Sequence, residues 1–433
     1  MKRAIWLIVV MLAMMLPQSA AAQTRFVVRN SLGALTMSLT CGLLGCKVVG
    51  GLGDPNGQLF LVTSNTDNIV LFLLRLLLSP GVQNAEVDVK GEVLAANAGA
   101  IPDAFNDRTP MTYYGSTVWH GYVYQPANQI VRTLEAQSKF VVDGTGTVVA
   151  IIDTGVDVDH PVLKAVLVPG YDFTRNKSSA NEKGDVTQST AALLDDAQPA
   201  YVNQSTAALL DQSTAALLDD QKYASFGHGT MTAGVVHLVA PRAKIMPLKA
   251  FGADGSGYTS DVLRAIYYAT KNGAKVINMS FSFDSYSPEL NNAVNYATSR
   301  GVVCVGSAGN DGQQIMVYPA GLDGVMGVAS TTDFDTRSTF SNYGNSLVWV
   351  AAPGEAVITT YPYGTYAAVW GTSFSTPFVA GTAALINDVS SSVNESKAQT
   401  AVGNAKWIDP DLNKGRLDVY EAVKAWRKTL GLN

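Results

Sequence analysis

The stretch Thr147-Val148-Val149-Ala150-Ile151-Ile152-Asp153-Thr154-Gly155 decides how this chain is read. Five consecutive apolar residues, four of them β-branched, run directly into a carboxylate and a glycine. An apolar run without alternation suits a strand covered on both faces, the kind found in parallel sheets flanked by helices. Val276-Ile277, Val302 to Val305 and Val348-Trp349-Val350 repeat the pattern downstream. Between them, Thr259-Ser260-Asp261 opens a helix through Leu263, Ile266 and Tyr267 that stops near Gly273. The expected fold class is α/β. Asp153 then stands where a strand ends, the sheet edge at which such folds gather functional groups.

Working outward, the 433 residues have room for two domains, and a 47% hydrophobic content fills a core in each. Lys2 and Arg3 precede an uncharged apolar run from Ala4 to Leu16, followed by Ala20-Ala21-Ala22. That is a signal-peptide pattern with cleavage expected after Ala22, and the run is too short for a stable membrane anchor. The protein is expected outside the cytoplasm, either extracellular or periplasmic. Strand-like Phe26-Val27-Val28, Gln58 to Thr63 and Ala85 to Val89, with a helix over Asn68 to Leu78, predict a small α+β domain at 23–95. The polar segment 96–117 reads as a linker, and 118–433 as the α/β domain.

Charge and cysteine content exclude other classes. With 15% charged residues and a net charge of -5, the chain lacks the basic surface that nucleic acid requires. Cys41, Cys46 and Cys304 are too few for a disulfide framework. Cys304, inside an apolar run, reads as a buried inert thiol; Cys41 and Cys46 have room to pair locally but fit no common metal spacing.

Three short motifs carry chemistry. Asp153 ends its strand, His228 lies between glycines in Phe226-Gly227-His228-Gly229-Thr230, and Ser373 in Gly371-Thr372-Ser373 leads into a long apolar helix. Each alone has a structural reading: a capping aspartate, a loop histidine, an N-cap serine. Together they supply a nucleophile at a helix start, a base and an orienting acid, in the chain order Asp, His, Ser.

With Asn278-Met279-Ser280 and Gly306-Ser307-Ala308-Gly309-Asn310 added, the region from about Val141 to Val423 resembles the subtilase family of serine proteases. The resemblance implies a subtilisin-like three-layer domain with catalytic Asp153, His228 and Ser373, and Asn310 as an oxyanion donor. It implies polypeptide substrates held between Gly255-Ser256-Gly257 and Ser280-Phe281-Ser282, a zymogen that processes itself within the 96–117 linker, and no cofactor for catalysis. It also implies that 23–95 is an inhibitory prodomain, Pro80-Gly81-Val82 to Asp88 resembling the end of such domains. Structural calcium is common in the family; acidic loops such as Asp333 to Asp335 are candidate contributors, and metal ligands stay unassigned. Ser282 and Phe283 stand where the family usually has glycines, Met231 where it has histidine, and Phe374 where it has methionine. His160 in Asp159-His160-Pro161 is expected to be a hydrogen-bonded structural histidine. The alternative reading is a binding protein that keeps the fold without catalysis.

One feature falls outside the family pattern. Gln188-Ser-Thr-Ala-Ala-Leu-Leu-Asp195 recurs at Gln204 to Asp211 and Gln212 to Asp219, an octad repeat over 188–219. Eight residues make about 2.2 helical turns, so successive leucine pairs form no single stripe, and a duplicated surface loop is expected. Deleting one octad should leave the unfolding midpoint and casein hydrolysis close to wild type. A selective loss on large substrates, with small peptides still cut, would make the insert a gate.

Overall fold

The computed structural model describes residues 23–93, 99–186 and 223–432; the expected signal peptide and the octad repeat lie outside them. The N-terminal unit runs β1 (Thr24–Asn30), α1 (Gly33–Leu44), β2 (Cys46–Gly51), β3 (Leu59–Ser64), α2 (Ile69–Leu77) and β4 (Val82–Val87). Its four strands form a sheet in the order β2-β3-β1-β4, with β1 antiparallel to both neighbours. Strand alternation divides the labour on β1. Phe26 and Val28 pack with Phe72, Leu73 and Leu76 in the unit's own core, while Val27 faces the α/β body. A short strand, β5 (Lys90–Glu92), leaves this unit and pairs elsewhere. Cys41 and Cys46 are disulfide-bonded across the α1–β2 turn.

The body begins with a hairpin, β6 (Pro110–Tyr113) and β7 (Ser116–Trp119), then short helices α3 (His120–Val123), α4 (Pro126–Ile130) and α5 (Thr133–Phe140). Residues 99–117 therefore differ from the expected linker. Phe105 is buried against Trp119, and the Tyr113 hydroxyl donates to Leu238 O at 2.6 Å. Next come β8 (Val148–Asp153), β9 (Tyr171–Asp172), β10 (Lys177–Ser178), α6 (His228–Val239), β11 (Lys244–Lys249), β12 (Ser256–Tyr258), α7 (Thr259–Lys271) and β13 (Val276–Met279). The remainder is α8 (Pro288–Ser299), β14 (Val303–Ser307), β15 (Met326–Thr331), β16 (Val350–Pro353), the hairpin β17 (Val357–Tyr361) and β18 (Thr365–Val369), then α9 (Thr372–Val389), α10 (Glu395–Val402) and α11 (Val419–Thr429).

Eight strands make one sheet in the order β10-β9-β11-β8-β13-β14-β15-β16, parallel throughout except for the β10–β9 edge pair. The quoted run forms β8, near the middle. Val149 and Ile151 pack on the side of α6 and α9, and Ala150 and Ile152 on the side of α7 and α8. Burying each Val or Ile contributes roughly 1.5–3 kcal/mol, which is why both faces of the strand are apolar. The third predicted run is offset, since the strand begins only at Val350. Cys304 lies buried in β14, and burial raises its thiol pKa well above the usual value.

The N-terminal unit docks on α7 and α8 through buried charge. Asp88 accepts from Ser260 N and Oγ, both at 2.8 Å, at the start of α7, and is paired with Arg25 at 2.8 Å. At the start of α8, Glu289 is fully buried and held by Arg29 at 2.5 Å. Beside it, burial pushes the Glu86 carboxyl up to about 7 against the hydrogen bond from Ser287. Breaking a buried pair from one side strands a charge and costs about 3–5 kcal/mol, whereas replacing both partners costs less. Arg29→Met should therefore destabilise the full chain more than Arg29→Met with Glu289→Leu. Denaturant unfolding checks the order; a double variant worse than the single would refute it.

Candidate active site

Asp153 is the last residue of β8 and His228 the first of α6. Two glycines let those ends meet. A Cβ on Gly229 would lie 1.8 Å from Gly155 O, so the backbones touch where any side chain would separate them. Gly155 also has φ +104°, a conformation that L side chains rarely adopt. As a result His228 Nδ1 and Asp153 Oδ1 are 2.7 Å apart, both side chains fully buried. Asp153 accepts further bonds from Thr154 N (2.7 Å) and Thr232 Oγ1 (3.2 Å). The opposite ring nitrogen, His228 Nε2, is buried without a hydrogen-bond partner among the described residues.

Ser373 sits in the first turn of α9, which packs along α6; the ring of the next residue, Phe374, is 5.3 Å from that of His228. The Ser373 hydroxyl donates to Ser280 O at 3.3 Å and makes no bond to His228. Such catalytic contacts are often long before substrate arrives. Pro377 explains part of the local geometry. Lacking an N–H, it leaves the carbonyl four residues earlier without its helical partner. That carbonyl belongs to Ser373, and it accepts from Ser280 Oγ at 2.8 Å. Asn310 is brought to the same turn: its Oδ1 accepts from Thr372 N (2.9 Å) and Thr372 Oγ1 (3.0 Å), which turns its Nδ2 donor away from that residue.

Four of the six residues expected to flank a substrate, Gly255, Ser256, Gly257 and Ser282, lie along the tail of the N-terminal unit. Strand β5 is antiparallel to β12, with Glu92 opposite Ser256 and Gly91 opposite Gly257. On its other side Glu92 and Ser282 exchange backbone bonds at 3.0 Å each way, and Val93 N donates to Gly255 O at 2.9 Å. Ser280 faces Ser373 instead. Phe281 is buried against Phe251, 4.8 Å between ring centres, in the apolar cluster that also holds Val93.

Two residues at the site carried no local signal. Glu182 is fully buried and accepts from Thr154 Oγ1 (3.0 Å), Gly227 N (3.1 Å) and Thr230 Oγ1. It thus ties the segment after Asp153 to both neighbours of His228–Gly229. Lys249, buried at the end of β11, donates to Thr154 O, Phe251 O and Asp185 Oδ2 at 2.6–2.7 Å. Of the remaining histidines, His160 is buried with Nε2 3.2 Å from Thr365 O, and burial lowers its pKa. His237 is driven down to about 4 by burial, and His120 pairs with Asp107 at 2.7 Å. Within the Asp333–Asp335 loop, Asp335 is not free to bind calcium. Asp335 is already taken by Arg416 at 2.8 Å and Lys406 at 2.5 Å, and no cluster of three potential metal ligands occurs among the described residues.

The subtilase family description matches residues 144–420. The chain belongs to the subtilase family. It is 34% identical to thermitase of Thermoactinomyces vulgaris over 296 residues, covering 66% of this chain and 91% of that one. It is 32% identical to a thermophilic serine proteinase of Bacillus sp. strain AK1 over 322 residues, covering 71% and 68%. Subtilisin BL of Lederbergia lenta is 43% identical over 169 residues, 37% of this chain and 62% of that protein. Among solved structures, fervidolysin of Fervidobacterium pennivorans, a keratinolytic enzyme related to subtilisin, superposes with TM-score 0.71 at 22% identity. That overlap covers 94% of this chain and 62% of the fervidolysin chain, and it shows the fold. This subtilase is therefore a serine endopeptidase on a subtilisin-like α/β fold.

Burial pushes the Glu182 carboxyl up from 4.5 to about 8, against the hydrogen bonds from Thr230 and Thr154 and the charge of Lys249. The fold then holds a proton that the unfolded chain releases near 4.5, so this group's contribution to stability is full below that pH and is lost as pH rises to about 8. Its share of the slope reaches up to about 1.4 kcal/mol per pH unit. In Glu182→Gln that share should vanish, flattening unfolding free energy against pH between 5 and 8. An unchanged slope would refute the assignment.

Proposed function

We propose that this subtilase is a secreted zymogen in which Ser373 is the nucleophile, His228 its base, Asp153 the orienting acid and Asn310 an oxyanion donor. Residues 23–95 are its inhibitory prodomain. The observation that carries the reading is strand β5, hydrogen-bonded on both sides in the groove leading to Ser373, as an extended peptide is held in β-augmentation. A domain that fills the groove with its own tail excludes other polypeptides until it is removed. Secretion is supported by the N-terminal sequence and fits the described residues, none of whose helices is long and apolar enough to cross a membrane.

The chemistry follows from the geometry. Ser373 Oγ bonds to the substrate carbonyl carbon as its proton passes to His228 Nε2, the nitrogen without another partner among the described residues. Asp153, fixed on Nδ1, stabilises the imidazolium. Asn310 Nδ2 and the Ser373 backbone N–H donate to the oxyanion, prearranged by Thr372 and the start of α9. As the C–N bond breaks, the same proton leaves on the amine; water, deprotonated by His228, then releases the acyl group.

Ser373→Ala should lower kcat by about 10⁶, the loss seen for the corresponding serine of subtilisin, and Asn310→Ala by about 10² to 10³. The Ser373→Ala chain should also accumulate unprocessed. In the wild type, N-terminal sequencing should find the mature chain starting within a few residues after Val93, the last of the tail's described residues bonded in the groove. Fluorophosphonate labelling and casein hydrolysis test the whole reading. A folded wild-type chain that does neither is the non-catalytic binding protein of the alternative.

A further inference from the structure

We infer that Phe283 closes the substrate groove beside the position held by Gly91, so that the enzyme selects polypeptide segments with glycine there. The inference rests on the proposed role of the β5 groove in holding substrate. In that groove Gly91 and Val93 are buried while Lys90 and Glu92 are exposed, so alternate residues face the enzyme. The two inward positions are treated differently. Val93 is completely buried among apolar side chains, with Phe251 and Phe281 in the same cluster. At Gly91 there is no such space. A Cβ would stand 2.5, 2.6 and 2.8 Å from Cε1, Cδ1 and Cζ of Phe283, where carbon atoms need about 3.5–4.0 Å.

The obstruction comes from the ring and not from the backbone. Gly91 lies in a paired strand and is not among the glycines with positive φ, so its conformation is open to any residue. Phe283 itself is anchored. Its N–H donates to Tyr318 O at 2.8 Å, its carbonyl accepts from Tyr318 N at 2.9 Å, and its ring stands edge-on to Phe281 at 5.9 Å. Phe281 is backed in turn by Phe251. Making room for a side chain at the Gly91 position means moving the outermost member of this aromatic row. The preferred substrate is therefore a segment of the form Gly-x-Val, glycine followed two residues later by an aliphatic residue.

The test uses processed wild-type enzyme and quenched fluorescent peptides with the sequence from Val89 to Ala100, carrying Gly, Ala, Leu or Phe at the Gly91 position. Mass spectrometry of the products identifies the bond cut and so fixes the register. Relative to Gly, kcat/KM should fall about 10- to 200-fold for Leu and Phe at the same bond, with Ala between. Phe283→Ala should abolish the preference by raising cleavage of the Leu peptide. Equal cleavage of the Gly and Leu peptides by the wild type, at one bond, overturns the inference and leaves the protease reading intact. Casein hydrolysis with no cleavage of the Gly peptide overturns the groove assignment itself. The wild-type panel decides the matter even when Phe283→Ala does not fold.

Discussion

Backbone contact between Gly155 and Gly229 is the constraint on which the site depends. Gly155 lies two positions beyond the end of β8, Gly229 is the second residue of α6, and between them there is space for hydrogen atoms only. The approach places Asp153 and His228 at hydrogen-bonding distance inside the protein, where water does not compete. Glu182 and Lys249 then hold the loop between them from two further segments, Glu182 through Thr154, Gly227 and Thr230, and Lys249 through two backbone carbonyls and Asp185. Without such partners either polar group would be too costly to bury.

The N-terminal unit is joined to the body by a different economy of forces. Its own core is apolar, but much of the contact with α7 and α8 consists of carboxylates set at helix starts and matched by Arg25 and Arg29. Buried ion pairs of this kind orient surfaces more than they stabilise them, because separation returns the charges to water. That suits a unit proposed to guide its tail into the groove and later to leave. The apolar Val27, Leu59 and Leu61 supply the adhesive part of the same surface.

Much of this was legible in the chain. Strands buried on both faces announce themselves as unbroken apolar runs, and β8, β13 and β14 lie where those runs are. The proposed Asp, His, Ser and Asn positions were marked by glycines, since a tight turn or close backbone approach restricts the residue type locally. Other features were not legible for equally physical reasons. Glu182 meets partners 28, 45 and 48 residues away, so nothing in its own neighbourhood distinguishes it from a solvated glutamate. Asp335 resembles a calcium ligand until Arg416 and Lys406 arrive from another part of the chain. Polar residues at 99–117 hid the hairpin anchored by Phe105 and Tyr113, because two buried side chains suffice to hold a short segment.

By itself, then, the sequence determined the α/β class and marked the residues proposed for acyl transfer, properties written in local periodicity and turn chemistry. The tertiary structure decided which groups surround them. Phe283 reads in sequence as one departure from a small-residue pattern; only folding sets its ring against Gly91, a residue 192 positions earlier, and turns that departure into a closed wall of the groove. Distances between side chains far apart along the chain depend on the packing of every element between them, and no local pattern encodes them.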